Sequence, residues 1–337
     1  MRILFITILI FVLGCKTDSK KELRIYNWAN YIGESTIKDF ESEFGYKVTY
    51  DNFSSNEELL AKLQAGASGY DVIVPSDYMV DIMREENLLA PLDKAKIPNF
   101  KNISEEYLNK PFDPESKFCA PYHWGTVGLG INTEHVKEEV TSWSILWDPK
   151  YKGKISILDD PRSGFIPALT LAGHSINSTD KGQIDHAKRE MLKQKELVFA
   201  YTSDQYIDML GAGDIWIAQG YSGDILQAKK ENPSIELILP KEGSEIALDL
   251  LCVPLKAPNK DGAFEFINYI LRAEVAASIA NEIRYATPNK AAKDFLDENL
   301  VNDKNAYPDD LSSLTFLTDI GEAQEIYDTA WLEVKGG

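Results

Sequence analysis

Phe118-Cys119-Ala120-Pro121-Tyr122-His123-Trp124-Gly125-Thr126-Val127-Gly128-Leu129-Gly130-Ile131-Asn132 is the stretch on which the architecture turns. It is extended and rich in glycine, and regular strand–helix alternation lies on both sides of it. Upstream, Leu23–Tyr26 alternates like a strand, and Ile37, Phe40 and Phe44 recur at helical spacing. Val48–Tyr50 is strand-like, Glu57–Gln64 carries Leu59, Leu60 and Leu63 on one helical face, Asp71–Pro75 is a short apolar strand, and a helix spans Tyr78–Glu86. Downstream, strands are predicted at 154–158, 198–201, 215–219 and 235–239, with helices between them. A second extended stretch, Ala247–Pro254, precedes helices at Ala263–Leu271 and Glu274–Ile283. Strands alternating with helices argue for parallel-rich α/β sheets. Two extended segments flanking the second unit are what a chain needs to cross to another lobe and return. Roughly 320 residues also exceed what one core serves, since domains cluster near ~100–150 residues.

The N-terminus reads Met1-Arg2, an apolar run from Ile3 to Leu13, then Gly14-Cys15. A positive residue, a short apolar core and a small residue before a cleavage point describe a signal peptide over 1–14. The run falls short of the ~20 apolar residues that span a bilayer. Val12-Leu13-Gly14-Cys15 looks like a bacterial lipobox, which makes Cys15 the lipidated residue and 15–21 a polar tether; the bland alternative is an ordinary signal peptide with a coincidental cysteine. The expected location is outside the cytoplasmic membrane, held there by lipid rather than by a span.

The chain carries 35 basic and 53 acidic residues, a net charge of −18. Such a surface repels nucleic acid and draws cations, an attraction that salt weakens. Cys119 and Cys252 either pair in an oxidising compartment or stay free and buried, because sequence gives no distance between them.

In open α/β sheets, ligands bind beyond the carboxyl ends of the strands. The residues there are Asn27–Tyr31, Pro75–Tyr78, Asp159–Ser163 and Gly220–Asp224, and each of the four junctions carries aromatics, carboxylates or both. That mixture suits an alkylammonium ligand. Carboxylates take its charged ends, since a buried ammonium without a partner costs several kcal/mol. Aromatic faces wall its methylene chain and add roughly 0.5–2 kcal/mol of cation–π attraction per ring. Any one ring could equally be packing, and an aspartate at such a junction is commonly a helix cap. The repetition carries the argument.

Several strings then resemble the polyamine-binding proteins of bacterial ABC importers: Tyr26–Ile32, Val74–Tyr78, Asn109–Pro114, Tyr122–Gly125, Thr141–Trp147, Pro240–Gly243 and Tyr285–Asn289, in order from about residue 22 onward. The resemblance implies a two-lobed, type II periplasmic-binding-protein-like fold with two crossover strands. One lobe would comprise 22–128 with 248–294, the other 129–247 with 295–337. It implies capture of putrescine or spermidine and delivery to a membrane permease by a monomer, with no cofactor and no metal. Matching motif by motif, it places Trp28, Ala29, Tyr31, Ser76, Tyr78, Asp160, Tyr221, Asp224, Asp249 and Tyr285 at the ligand. Ser163 stands where the family usually has glutamate, and Gln219 and Ala247 where spermidine binders carry tryptophan. Leu317 lies near a position often occupied by glutamine, and Glu245 is a candidate replacement for the missing acid. The hinges are expected near Val127–Gly130 and Ile246–Asp249.

An enzyme is the first rival. Gly220-Tyr221-Ser222-Gly223 lacks the final glycine of a nucleophile elbow, because Asp224 follows. His123, His135, His174 and His186 lack zinc spacing. A same-fold binder of iron, thiamine or an amino acid is the second. Tyr201, Tyr206 and Tyr221 could be read as iron ligands, and Arg162 as the partner of an amino-acid carboxylate, though Arg162 is expected to pair with Asp159 or another neighbour. A polyamine sensor is the third.

Overall fold

The computed structural model describes residues 21–66, 69–308 and 310–336. The expected signal peptide over 1–14 and the expected lipidated residue Cys15 lie outside the described residues.

The first unit runs β1 (Lys21–Trp28), α1 (Thr36–Phe44), β2 (Tyr46–Phe53), α2 (Asn56–Gln64), β3 (Val72–Ile73) and α3 (Asp77–Glu85). Short 3-10 turns lead to β4 (Cys119–Asn132). The second unit holds β5 (Ile155–Ile157), α4 (Pro161–Leu171), α5 (Lys181–Gln194), β6 (Val198–Tyr201), α6 (Tyr206–Ala212), β7 (Ile217–Tyr221), α7 (Ser222–Glu231) and β8 (Ile235–Ile238). The chain returns through β9 (Ser244–Cys252) to α8 (Lys260–Ile270) and α9 (Ala273–Ile283). It ends with α10 (Glu298–Val301), β10 (Leu314–Thr315) and α11 (Ala323–Gly336).

The strand order is β2-β1-β3-β9-β4-β7-β5-β6. Within each unit the pairs are parallel, β1 with β2 and β3, β5 with β6 and β7. The antiparallel pairs all involve the two long strands. β4 pairs β9 from Cys119 to Thr126, then β7 and β8 from Val127 to Asn132. The change of partner at Thr126/Val127 is where the sequence places a crossover. β9 meets β10 at Ser244–Glu245 before it reaches β4 and β3.

The cores follow this division. Leu23, Ile25 and Phe40 pack with Phe266, Ile267 and Ile279, and Tyr26 and Leu59 with Met79 and Leu248. Leu129, Ile155, Phe165 and Ile217 pack with Tyr327 and Trp331 in a separate cluster. The α/β alternation of the sequence thus resolves into two lobes joined by β4 and β9. Cys119 and Cys252 face each other across β4 and β9, 4.4 Å apart at Cα, and form a disulfide. That distance is typical of a non-hydrogen-bonded antiparallel pair. Beside them His123 is fully buried. Burial pushes its imidazole down to about 3, so it is neutral and structural.

Candidate ligand-binding site

The carboxyl ends of β1 and β3 and the middle of β9 meet at Asp249. Tyr31 donates its hydroxyl to Asp249 Oδ2 at 2.6 Å, and Ser76 Oγ donates to Oδ1 at 2.7 Å. Asn56, the first residue of α2, donates to both Ser76 Oγ and the Tyr78 hydroxyl at 3.1 Å and accepts from the Ser76 backbone N–H. The Tyr78 hydroxyl in turn donates to Glu57 at 3.1 Å. Ser76 and Tyr78 are thus held by α2, an element the sequence reading left out of the site. The rule that found the other residues would have reached it, because Ser54–Glu57 follow β2.

The second lobe contributes Asp224 from the first turn of α7. Tyr206 and Tyr285 each donate a hydroxyl to it at 2.8 Å, one to each carboxylate oxygen. Tyr206 also accepts from the Tyr221 backbone N–H at 2.9 Å, which fixes the end of β7. Tyr285 packs edge-on against Tyr31, ring centroids 4.8 Å apart. A chain of contacts, Asp249–Tyr31–Tyr285–Asp224, therefore crosses from one lobe to the other. The crossing is tight: a Cβ at Gly223 would lie inside the Tyr285 ring.

Asp160 caps α4, accepting from the backbone N–H of Arg162 at 2.8 Å and of Ser163 at 2.7 Å through one oxygen. Ser163, where the family resemblance expects glutamate, donates its hydroxyl to Glu245 at 2.8 Å. Gln219 donates to the Ser163 carbonyl at 2.6 Å. Trp28 packs on Phe53 at 4.4 Å, and its buried indole N–H lacks a hydrogen-bond partner. Ala29 is exposed in the turn after β1. Leu317 is buried in the core of the second lobe.

Among the described residues no lysine or arginine forms an ion pair with Asp160, Asp224, Glu245 or Asp249. Burial raises the carboxyl of Asp249 to about 6 against the hydrogen bonds from Ser76 and Tyr31. Burial likewise raises Asp224 to about 6, opposed by Tyr206 and Tyr285. Burial and the charges of Asp160 and Asp249 raise Glu245 to about 7, with Arg162 opposing. Carboxylates gathered in one cleft without a base resist ionisation until a cation joins them.

Arg162 does not pair with Asp159. Its guanidinium bonds Asn177 at 2.8 Å and the Thr318 carbonyl at 3.3 Å and lies over the Tyr327 ring, whereas Asp159 holds Lys335 and the Trp331 indole. Tyr206 is committed to Asp224, and Tyr201 packs edge-on to Trp331 at 5.4 Å. Among the described residues no group of His, Cys, Asp and Glu is placed to hold a metal ion.

Residues 35–308 match the family of bacterial extracellular solute-binding proteins. The spermidine/putrescine-binding periplasmic protein of Escherichia coli is 38% identical over 324 residues, covering 95% of this chain and 93% of its own. The substrate-binding protein PotD of a spermidine/putrescine ABC transporter from Streptococcus pneumoniae superposes with a TM-score of 0.81 at 33% identity, over 94% of this chain and 99% of that one. The TpPotD lipoprotein of Treponema pallidum superposes with a TM-score of 0.83 at 30% identity, over 93% and 99%. These relatives are solute-binding proteins of transport systems, not enzymes. The cleft between two lobes, its unpaired carboxylates and these matches agree: the chain belongs to the bacterial extracellular solute-binding proteins, and among them to the family of the spermidine/putrescine-binding periplasmic proteins.

Proposed function

We propose that this protein captures a polyamine, putrescine or spermidine, in the cleft between its lobes and delivers it to the permease of an ABC importer. The observation that carries this reading is the pair Asp249 and Asp224. Each is held by two hydroxyl donors, each lacks a basic partner, and the Tyr31 and Tyr285 rings lie between them. Aligned hydroxyls orient a carboxylate without neutralising it, so the missing positive charge belongs to the ligand. Trp28, Tyr78 and Tyr221 line the alkyl chain, Ser76 and Asp160 hold the loops at its sides, and Ala29 closes the turn after β1. The lobes, 22–128 with 248–294 and 129–247 with 295–337, close about β4 and β9. A ligand that touches both lobes favours the closed form by its differential affinity.

The lipobox sequence Val12–Cys15 supports a lipid anchor at Cys15 on a monomer working outside the cytoplasmic membrane. No helix among the described residues is long and apolar enough to cross a membrane.

Calorimetric titration with putrescine and with spermidine tests the reading. One-to-one binding of either is expected. Asp249→Asn should weaken it by about 30-fold or more, the cost of stranding one partner of a buried charge pair. No heat and no thermal stabilisation with either amine would remove the polyamine assignment.

A further inference from the structure

β9 carries a second acid in line with Asp249. Side chains alternate along a strand, so Glu245, Ala247 and Asp249 share one face, while Ile246, Leu248 and Leu250 turn into the core of the first lobe. Four residues of strand separate Glu245 from Asp249, roughly 13 Å at ~3.3 Å per residue. Ala247, between them, offers a methyl and leaves the strand surface low.

Glu245 is only 5% exposed. Among the described residues its carboxylate accepts one hydrogen bond, from Ser163 through a single oxygen, and that serine is itself held at its carbonyl by Gln219. The nearest base, Arg162, is spent on Asn177 and Thr318. A buried carboxylate with one hydroxyl donor and no ion pair is costly unless something occupies its free oxygen.

Resting on the polyamine reading, we propose that Glu245 is the far anchor of the site: a linear triamine lies along β9 with one terminal ammonium at Asp249, its alkyl chain over Ala247 and another ammonium at Glu245. A four-carbon diamine is too short to reach both acids. Glu245 thereby becomes the residue that separates triamines from diamines. The charged groups facing it are Asp160 and Arg162 from the start of α4, Asp77 from the start of α3 and Asp249 along β9, with the Tyr221 hydroxyl beside them. A cation at Glu245 drives off the proton that its neighbours and burial retain there.

The test is titration calorimetry of the full-length protein and its Glu245→Gln variant with spermidine and with putrescine. Each titration is repeated in two buffers of different ionisation enthalpy, so that proton release is counted. Glutamine keeps the shape and still accepts from Ser163, and a matching melting temperature establishes that the variant is folded. The expected result is a loss of about 30-fold or more in spermidine affinity, with less than about threefold for putrescine. Spermidine binding to the unmodified protein should also release more protons near pH 7 than putrescine binding does, and the excess should vanish in the variant. Equal effects on both amines, or none on spermidine with no excess proton release, would overturn the assignment while leaving polyamine binding in place. Binding of neither amine by the unmodified protein would instead overturn the reading on which it rests. If the variant does not fold, proton release by the unmodified protein decides alone.

Discussion

At the scale of the residue, the acids of the cleft make binding depend on pH. Asp224 and Asp249 sit at about 6 and Glu245 at about 7 without ligand, raised chiefly by burial. A polyamine, whose amines resemble lysine with a pKa of ~10.4, stays charged throughout. Polyamine affinity is therefore highest above pH 7 and falls by at least about tenfold on acidification to pH 5, as these groups take up protons. Stability without ligand runs the other way. An acid whose pKa is higher folded than unfolded binds more protons in the native state between those two values. Its contribution to stability therefore grows as pH falls through that window and is lost as pH rises. Melting curves with and without spermidine at pH 5 and 7.5 check both signs: the shift given by ligand should shrink at pH 5. Tyr31 and Asp224 could be picked out because they sit at junctions where α/β sheets place ligands, whereas Asp249, inside β9, and Tyr285, after α9, were reached only through the family resemblance. Asn56 was passed over although it follows β2, where the same rule applies. Tyr206 was not legible as a partner of Asp224: its role is to orient another side chain, and nothing in a lone tyrosine announces a partner eighteen positions away.

At the scale of the element, the start of α7 packs closely on Tyr285. Gly223 leaves no space for a side chain beside Tyr285. Gly223→Ala should displace the Tyr285 ring and loosen its hydroxyl from Asp224. Polyamine affinity should fall by about 5- to 100-fold, the equivalent of ~1–3 kcal/mol of overpacking. Calorimetry checks this, with circular dichroism to show that the variant keeps its fold. Strand and helix positions were readable where apolar residues repeat with a clear period. Val198–Tyr201 appears as a strand at its predicted bounds, and Tyr78–Glu86 is offset by one residue from the observed helix. The strand predicted at 215–219 runs instead over Ile217–Tyr221. Ile215 and Trp216 pack in the second lobe's core, and Trp216 already exchanges backbone hydrogen bonds with Lys154 and Asn132 just before the strand begins. The 3-10 turns between Lys94 and Ser116 lack a period altogether, and so gave the sequence reading nothing to hold.

At the scale of the whole molecule, both lobes hang on β4 and β9, and the Cys119–Cys252 disulfide ties those strands at the first-lobe end. Closing a loop of 133 residues restricts the unfolded chain far more than the folded one. Replacing both cysteines with alanine should cost about 2–5 kcal/mol, a drop of roughly 5–15 °C in melting temperature. Spermidine affinity should change by less than about threefold, because the bond lies beyond the ligand-facing residues of β9. Thermal melts and calorimetry of the double variant read the two effects separately. Two lobes and two crossings were legible from one glycine-rich stretch and its echo at 247–254. The pairing of the cysteines was not, since it depends on the register of strands more than a hundred residues apart.

The division of the first lobe between the two ends of the sequence has a temporal consequence. Leu23, Ile25 and Phe40 find their core partners in Phe266, Ile267 and Ile279, and the second lobe takes Tyr327 and Trp331 from the last helix. Neither core can be completed until synthesis is nearly finished. Contacts this distant in sequence form slowly, since loop closure precedes the reward. The growing chain thus stays open until its C-terminal segments are made, and Cys119 meets Cys252 only as the two distant stretches of the first lobe come together.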